Sequence, residues 1–392
     1  MAGGSFRRGA SHLFFYGAAA VALVAAMSPA SADKSVHLPG ASIEPLTFAA
    51  LEGWRDDDQA AAFGSFLKSC KAILGGSKAT REARPVFGGL YNACVKAQAA
   101  GHLNAEQARA FFESHFHPVR IAPSGDKDGF FTGYYETVIE GARKPNAEYN
   151  VPVYRLPANP ALASADRIAI EDGLLAGKGL EICWLKNPVD AFFAQIQGSA
   201  RVKLAGGETM RIGYAGRNGL PYTAVGKFLI DRGIYTKEEM SMDKIRAFME
   251  ANPDEGRELR RKNHSYVFFR EVSLGKDEHS GGGQGVELTP LRSLAVDRSI
   301  HAYGTPIWID AKLPIASEKP ETPFRHLAIA QDTGTAIIGA ARADIFFGSG
   351  EDIGTIAGRI KQPGRFVMLV PNGVELTAGP APAPVPKPRP TP

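Results

Sequence analysis

Several marks of specialised protein classes are missing from this chain of 392 residues. The 45 Lys and Arg residues nearly balance the 41 Asp and Glu residues, and no basic stretch interleaved with aromatic residues indicates binding to nucleic acid. The three cysteines show no CxxC spacing, and the nine histidines are scattered without a neighbouring carboxylate cluster. We therefore expect a globular protein with no metal, no cofactor and no nucleic-acid partner.

A long transmembrane stretch is also missing, although an apolar run stands near the N terminus. Residues 13–27 are apolar, follow Arg7 and Arg8, and precede Ala-Ser-Ala at residues 30–32, which is typical of a signal peptide. The run is too short and too rich in alanine to be a convincing anchor, and no cysteine near the cleavage point is placed for acylation. We expect residues 1–32 to be removed on export, leaving a mature chain without a transmembrane helix.

The cysteines leave two states open. In an oxidising compartment Cys70 and Cys94 can pair, with Cys183 left as a buried thiol. Three buried, reduced cysteines fit the sequence equally well.

The spacing of apolar residues changes along the chain. The pattern predicts mostly helices from residue 33 to about 120, with Asn104 and Gln107 forming a capping box. Beyond that point it predicts mainly short β-strands, apart from a helix after Thr236. Many short strands with few long helices predict a mainly β fold of the barrel type with N-terminal helices. The strand candidates are 129–139, 151–156, 191–197, 200–204, 208–214, 264–274, 306–311, 325–331, 335–338 and 365–371.

Three aspartates are the strongest candidates for chemistry. Asp297 and Asp332 each follow an apolar strand candidate, and Asp344 precedes the glycine-containing segment 345–350. A carboxyl group that ends a buried strand beside a glycine-rich loop is well placed to have a raised pKa and a closely approaching substrate. The sequence therefore indicates a carboxyl-dependent site in the C-terminal third.

The motifs around these aspartates resemble the MltA-type lytic murein transglycosylases with their three-aspartate (3D) domain. The similar segments run from about residue 45 to residue 371. They comprise Phe-Thr-Gly-Tyr-Tyr-Glu at 131–136, Gly-Tyr-Ala-Gly-Arg-Asn-Gly at 213–219, Tyr-Gly-Thr-Pro-Ile-Trp-Ile at 303–309, Ala-Gln-Asp-Thr-Gly at 330–334 and Arg-Ala-Asp-Ile-Phe-Phe-Gly at 342–348.

The resemblance implies a periplasmic enzyme with a double-psi β-barrel built from both ends of the chain and a second β-rich domain inserted between them. The expected boundaries are a signal peptide at 1–32, a barrel from 33–136 and 266–373, an insertion at 137–265 and a disordered Pro-rich tail at 374–392. The substrate implied is the glycan strand of peptidoglycan, cleaved in the groove between the domains. Other cell-wall enzymes are possible partners, and attachment to the membrane or wall is left open because no acylated cysteine is present.

The resemblance assigns Asp344 as the single acid and base, with supporting or structural roles for Asp332 and Asp297. The C6 hydroxyl of N-acetylmuramic acid serves as nucleophile, so the product is a 1,6-anhydromuramoyl end and no water is consumed. Aromatic rings and amides suit a sugar groove. The expected groove residues are Thr132, Gly133, Tyr134, Tyr135, Phe193, Gln195, Gln197, Tyr214 and Tyr222.

Three other interpretations are weaker. Asp332-Thr333-Gly334 also fits an aspartic protease, but the chain has no second such loop, so a symmetric dimer would be needed. Ser241-x-x-Lys244 superficially matches penicillin-recognising enzymes, without their other motifs. A non-catalytic wall-binding protein with the same groove stays open. One departure from the better-known family members lies between the second and third aspartates, where Ile337-Ile338 stands in place of a segment carrying Lys.

Overall fold

The computed structural model describes Met1 and residues 35–76, 87–273 and 279–379. The expected signal peptide and most of the Pro-rich tail therefore lie outside the described residues. The strands in chain order are β1 (Ser35–Pro39), β2 (Ala41–Pro45), β3 (Phe116–Pro123), β4 (Gly129–Ala142), β5 (Val151–Tyr154), β6 (Glu181–Leu185), β7 (Ser199–Leu204), β8 (Thr209–Arg217), β9 (Val267–Glu271), β10 (Ser293–Val296), β11 (Pro306–Leu313), β12 (Thr322–Asp332), β13 (Arg342–Ser349), β14 (Lys361–Pro371) and β15 (Glu375–Gly379).

The helices separate into an N-terminal group and a group between the strands. They are α1 (Gln59–Leu74), α2 (Phe87–Ala100), α3 (Ala105–His115), α4 (Pro160–Ala163), α5 (Arg167–Glu171), α6 (Pro188–Gln197), α7 (Gly226–Asp231), α8 (Met242–Ala251), α9 (Pro253–Arg261) and α10 (Glu351–Gly358). The capping box of Asn104 and Gln107 at α3 is confirmed. Ser241 accepts a hydrogen bond from the Lys244 backbone N–H at the start of α8, which accounts for the Ser-x-x-Lys pattern. Within the described ranges, no helix combines the length and apolar character that a membrane crossing requires.

Strand β4 joins two groups of strands. Its first half pairs in parallel with β13, in a register that reaches Glu136 opposite Ser349. From Thr137 onward its partner is β7, which continues through β8 to β9. One 14-residue strand therefore belongs to both groups, and the exchange of partner falls between Glu136 and Thr137.

The first group of strands carries the C-terminal aspartates. In this group β10 pairs with β12 and β13, β11 pairs with β12 and β14, and β14 also pairs with β3 and with the start of β4. The largest apolar core lies here, against helices α1 to α3, and includes Phe66, Phe112 and Trp308. Cys70 on α1 and Cys94 on α2 form a disulfide, which settles the open pairing, and Cys183 is a buried free thiol.

The mainly β composition with N-terminal helices is confirmed, but two of the strand predictions were wrong. Residues 191–197 belong to helix α6, and residues 335–338 form a turn rather than a strand. Strand β9 pairs with β8, so the second group of strands extends beyond residue 265, where the insertion was expected to end. Glu375–Gly379, expected to belong to the tail, forms strand β15 and pairs with β1.

A buried carboxylate ties the start of α1 to the first group of strands. Asp57, whose side chain is fully buried, accepts hydrogen bonds from both terminal nitrogens of Arg292 at 2.8 Å, from His326 Nδ1 at 2.8 Å and from the Leu327 backbone N–H at 2.9 Å. Burial alone raises the pKa of Asp57, but the hydrogen bonds from His326 and Arg292 and the charge of Arg292 hold that pKa below its ordinary value.

We expect Asp57→Asn to lower the free energy of unfolding by about 3–5 kcal/mol, because Arg292 then stays buried without its counter-charge. Urea unfolding at neutral pH measures the change. Asp58→Asn is the matched control, since Asp58 is the exposed N-cap of α1 and asparagine caps equally well. The stabilisation by Asp57 should be present above pH about 4 and lost as the pH falls through its lowered folded-state pKa. Equal stability of the two variants would contradict this assignment.

Candidate functional site

The pairing of β4 with β13 brings Thr132 opposite Asp344. Thr132 Oγ1 lies 2.7 Å from Asp344 Oδ1 and 2.7 Å from Nη2 of Arg342. Because a guanidinium group can only donate, the threonine hydroxyl accepts from Arg342 and donates its own proton to Asp344. One oxygen of Asp344 is thus oriented, whereas Oδ2 accepts no hydrogen bond from the described residues.

Asp332 is held more firmly than Asp344. Its Oδ1 accepts from the backbone N–H groups of Gly283 at 2.7 Å and Thr333 at 2.8 Å, and its Oδ2 accepts from the Tyr134 hydroxyl at 2.8 Å. Both carboxyl oxygens of Asp332 are therefore engaged by the protein, unlike those of Asp344.

The glycines before Gly283 explain how a backbone N–H reaches Asp332. A Cβ atom on Gly282 would lie 2.5 Å from the Gln331 carbonyl oxygen, so only glycine lets this segment lie so close to the end of β12. The same segment is fixed at Ser280, whose hydroxyl donates to Glu136 Oε1 at 2.5 Å. Glu136 is fully buried and also accepts from Arg201 at 2.5 Å. Glu136, the last residue of β4 that pairs with β13, thus supports the loop that holds Asp332.

Asp332 and Asp344 both line a cleft of about 130 Å³. Among the described residues that line it, they are the only carboxylates, and no group of three His, Cys, Asp or Glu side chains in the described part of the chain is placed to hold one metal ion. The remaining lining residues are mostly amides, hydroxyls and aromatic or apolar groups. They are Tyr134, Arg167, Gln195, Ile196, Gln197, Tyr222, Asn263, Ser265, Val267, Ala295, Thr333, Gly334, Thr335, Ala336 and Ile337.

The two aspartates have raised pKa values for the same main reason. Burial raises the pKa of Asp344 above its ordinary value, although the charge of Arg342 and the hydrogen bond from Thr132 lower it in part. Burial also raises the pKa of Asp332 to about 6, against its three hydrogen bonds, and the negative charge of Asp344 adds to the increase. Burial and the charge of Asp332 keep the pKa of Tyr134 well above its usual range, so this hydroxyl stays a donor.

Asp297 does not line the cleft. It lies just after β10 and accepts hydrogen bonds from the Ser299 hydroxyl at 2.6 Å and from the Gly339 backbone N–H at 2.9 Å. The Thr333 hydroxyl donates to the Val296 carbonyl oxygen at 2.9 Å. Residues 333–339, which follow β12, are therefore held at one end by Thr333 and at the other by Gly339. The position of Asp297 suits the structural role expected for it.

The expected groove residues divide into two sets. Tyr134, Gln195, Gln197 and Tyr222 line the cleft, and Thr132 contacts Asp344 directly. The other four, namely Gly133, Tyr135, Phe193 and Tyr214, do not line it, for reasons that differ between them.

Gly133 and Tyr135 face helix α10 instead. A Cβ atom on Gly133 would lie 2.8 Å from the Ala357 carbonyl oxygen, and the Tyr135 ring packs against Gly354. Phe193 is buried in a separate apolar cluster because residues 188–197 are helical, so alternate residues do not share a face. Tyr214 on β8 is 50% exposed.

Several lining residues were not anticipated. Arg167 reaches the cleft from α5, where its Nε donates to the Asn263 carbonyl oxygen at 2.6 Å and its Nη2 to the Gln195 side chain at 2.7 Å. These partners are 96 and 28 residues away, so no local pattern marks Arg167. Gly283 had a visible signal, because three glycines in succession at 281–283 indicate a close backbone approach.

Two segments of the chain that contribute residues to this site match known protein families. Residues 130–270 match the family described as the MltA specific insert domain, and residues 292–370 match the family described as the 3D domain. The crystal structure of a membrane-bound lytic murein transglycosylase from Agrobacterium tumefaciens has a TM-score of 0.75 and 33% identity, covering 84% of this chain and 98% of that one. The chain belongs to the MltA family.

Two further members of the MltA family extend the comparison. Membrane-bound lytic murein transglycosylase A of Vibrio cholerae is 36% identical over 248 residues, covering 62% of this chain and 66% of the relative. The chain thus matches just under two thirds of the length of that curated relative. The structure of Escherichia coli MltA with bound chitohexaose has a TM-score of 0.64 and 28% identity, covering 88% of this chain and 94% of that one.

The two MltA-family matches contribute different parts of the site. Thr132, Tyr134, Gln195 and Gln197 lie in the insert-domain match, and Asp332 and Asp344 lie in the 3D match. Assembly of the site therefore depends on contacts between the two matched segments, chiefly the pairing of β4 with β13.

Replacement of Tyr134 tests how Asp332 is held. We expect Tyr134→Phe to raise the pKa of Asp332 above its value of about 6. The Tyr134 hydroxyl stabilises the ionised carboxylate, and the variant lacks this hydrogen bond. Titration of the aspartate side-chain carboxyl carbons by ¹³C NMR measures this shift. Tyr135→Phe is the matched control, since Tyr135 packs against α10, and it should leave the Asp332 titration unchanged. An unchanged or lowered pKa in Tyr134→Phe would contradict the geometry.

Proposed function

We propose that this protein is a peptidoglycan lytic transglycosylase that uses Asp344 as its acid and base. The observation that carries the proposal is the position of Asp344 in the cleft, with a raised pKa, one oxygen oriented by Thr132 and the other oxygen without a hydrogen bond from the described residues. A buried carboxyl group with a raised pKa and an oxygen open to the substrate is suited to general acid catalysis.

In the first step Asp344 donates its proton to the glycosidic oxygen between N-acetylmuramic acid and N-acetylglucosamine. The C1–O bond breaks, and positive charge develops at C1 of the muramic acid. The nearby Asp344 carboxylate stabilises that charge, as does Asp332 when it is ionised, which its pKa of about 6 allows at neutral pH.

In the second step the Asp344 carboxylate accepts the proton of the C6 hydroxyl as O6 bonds to C1. The product is a 1,6-anhydromuramoyl end, and no water enters. Hydrolysis by the common two-carboxylate route needs a second carboxylate to activate water or to attack C1. Asp332 is poorly placed for either task, because both of its oxygens already accept hydrogen bonds from the protein.

The lining of the cleft supports a glycan substrate. Gln197, Tyr222 and Asn263 combine amide groups with an aromatic ring, the combination that pairs with sugar hydroxyls and packs against sugar CH groups. The bound chitohexaose in the E. coli relative is itself a chain of N-acetylglucosamine units, which supports the same class of ligand for this chain.

The strand pairings support a double-psi β-barrel as the finer description of the catalytic part. Strands β4, β13, β10, β12, β11 and β14 pair in succession, and β14 pairs again with β4. We place the inserted domain between Thr137, where β4 changes partner, and the end of β9 at Glu271. The sequence of residues 1–32 supports export to the periplasm, and other cell-wall enzymes remain candidate partners.

The aspartic protease alternative finds no support in the cleft. Protease aspartates share one proton between two adjacent carboxyl groups. Here the hydrogen bonds to Asp332 come from Tyr134, Gly283 and Thr333, and the one to Asp344 comes from Thr132. Neither aspartate is hydrogen-bonded to the other in the described structure.

Replacement of the acid tests the proposed reaction. We expect Asp344→Asn to lower kcat on purified peptidoglycan by a factor on the order of 10²–10⁴, because the amide cannot donate a proton to the leaving oxygen. Mass spectrometry of soluble muropeptides, with residues 33–392 as enzyme, measures the 1,6-anhydromuramoyl ends. Asp352→Asn, an exposed change on α10, is the matched control and should keep full activity.

The alternatives give different results in the same assay. An Asp344→Asn variant with near-normal turnover would remove Asp344 as the acid. Binding to peptidoglycan without products, by both the unchanged protein and the variant, would indicate a wall-binding protein instead.

A further inference from the structure

A second, larger cavity lies beside the cleft, within the MltA-specific insert. Its volume is about 730 Å³, within the range of about 300–1,000 Å³ that is usual for small-ligand sites. Arg167 and Gln195 line both the cavity and the cleft, so the two spaces share these side chains as a common wall. The rest of the cavity wall combines apolar residues such as Val151, Ile170 and Trp184 with a group of arginines.

Arg260 is the unusual residue in this cavity. It is only 7% exposed, yet its side chain donates no hydrogen bond to any described residue, and its closest carboxylate contact is 3.9 Å, from Nε to Glu171 Oε1. Arg167 on the same wall is satisfied, with hydrogen bonds to Asn263, Gln195 and Ser265. No side-chain nitrogen of Arg260 is sealed off without a partner, so its guanidinium donors open onto the cavity and are available to a ligand there.

The arginines near the cavity share a small number of carboxylates. Glu171 alone serves Arg167 at 3.3 Å, Arg261 at 3.6 Å and Arg260 at 3.9 Å. Of the three guanidinium groups in the cavity wall, Arg167 is hydrogen-bonded to Glu171 and Arg257 to Asp172, at 3.3 Å and 3.0 Å, which leaves Arg260 without a hydrogen-bonded carboxylate among the described residues. Burial lowers the pKa of Arg260, and the charges of the neighbouring arginines lower it further.

We propose that this cavity binds a short peptide by its free carboxylate, which pairs with Arg260 while the apolar wall takes the peptide side chains. Guanidinium groups recognise carboxylates through paired hydrogen bonds. The choice of a peptide rests on the proposed function, because peptidoglycan carries short peptides on its muramic acid residues. An extended peptide spans about 3.3–3.6 Å per residue. A few residues therefore suffice to pass from a sugar in the cleft to a cavity that shares a wall with it.

The test is titration calorimetry of a synthetic stem tetrapeptide against the mature chain. The peptide is used with a free C-terminal carboxylate and, for comparison, with a C-terminal amide. We expect the amide to bind at least tenfold more weakly, and Arg260→Gln to abolish that difference. Arg232→Gln, an exposed arginine paired with Glu255 and absent from the cavity wall, is the matched control and should bind both peptides as the unchanged protein does.

Activity measurements distinguish a failure of the peptide site from a failure of the proposed function. Arg260→Gln should raise KM for peptide-bearing peptidoglycan without changing kcat, and it should cleave peptide-free glycan strands normally. If the unchanged protein binds the peptide carboxylate and the peptide amide equally well, the peptide site is overturned. This comparison does not need the Arg260→Gln variant, so it tests the site even if that variant fails to fold. A folded Arg260→Gln protein that still prefers the acid also overturns it. Carboxylate-dependent peptide binding in a protein that releases no anhydro products would sustain the site and overturn the proposed function.

Discussion

The parallel pairing of β4 with β13 is the constraint on which the site depends. Its register sets Thr132 opposite Asp344 and Tyr134 opposite Phe346. Because alternate residues of a strand point to the same side, Thr132 and Tyr134 both reach the aspartates, one contacting Asp344 and the other Asp332. A shift of one residue would turn both hydroxyls away from the cleft and break both hydrogen bonds.

The same strand links the site to the insert. After Glu136, β4 leaves β13 and pairs with β7, so the inserted residues follow directly from the strand that holds the aspartates. Gln197, at the end of α6, accepts a hydrogen bond from the Tyr135 backbone N–H at 3.0 Å. The Gln197 amide of the insert is thereby hydrogen-bonded to the strand that holds Thr132 and Tyr134.

The difference between the two cleft aspartates follows from their hydrogen bonds. In the part of the chain that the structure describes, Asp332 has three donors on two oxygens, and Asp344 has one donor on one oxygen. Burial raises the pKa of both, but only Asp344 has an oxygen left for a ligand. Two carboxyl groups of the same kind can therefore take different roles, one fixing the loop at Gly283 and the other exchanging a proton.

Much of this could be predicted from the sequence, because the motifs that surround the aspartates are local. The apolar run before Asp332 predicted a strand, and the resemblance of the Gly-Tyr-Tyr segment to the MltA family suggested Thr132 and Tyr134 as site residues. The error at residues 191–197 was also local. Asn187 caps the helix, Pro188 occupies its first turn and Gly198 ends it at φ 80°, and these signals were overlooked in favour of an alternating pattern. The role of Arg167 could not be predicted, because its partners at Asn263 and Ser265 are brought near only by the fold.

The central claim is that Asp344 drives an intramolecular reaction without water, and digestion of peptidoglycan in H₂¹⁸O tests it most directly. If O6 of the muramic acid attacks C1, the soluble products should carry 1,6-anhydro ends and no ¹⁸O. If a water molecule attacks instead, each cleaved bond should give a reducing end that contains one ¹⁸O atom. That second result would contradict the account and would require a carboxylate other than Asp344 to activate the water.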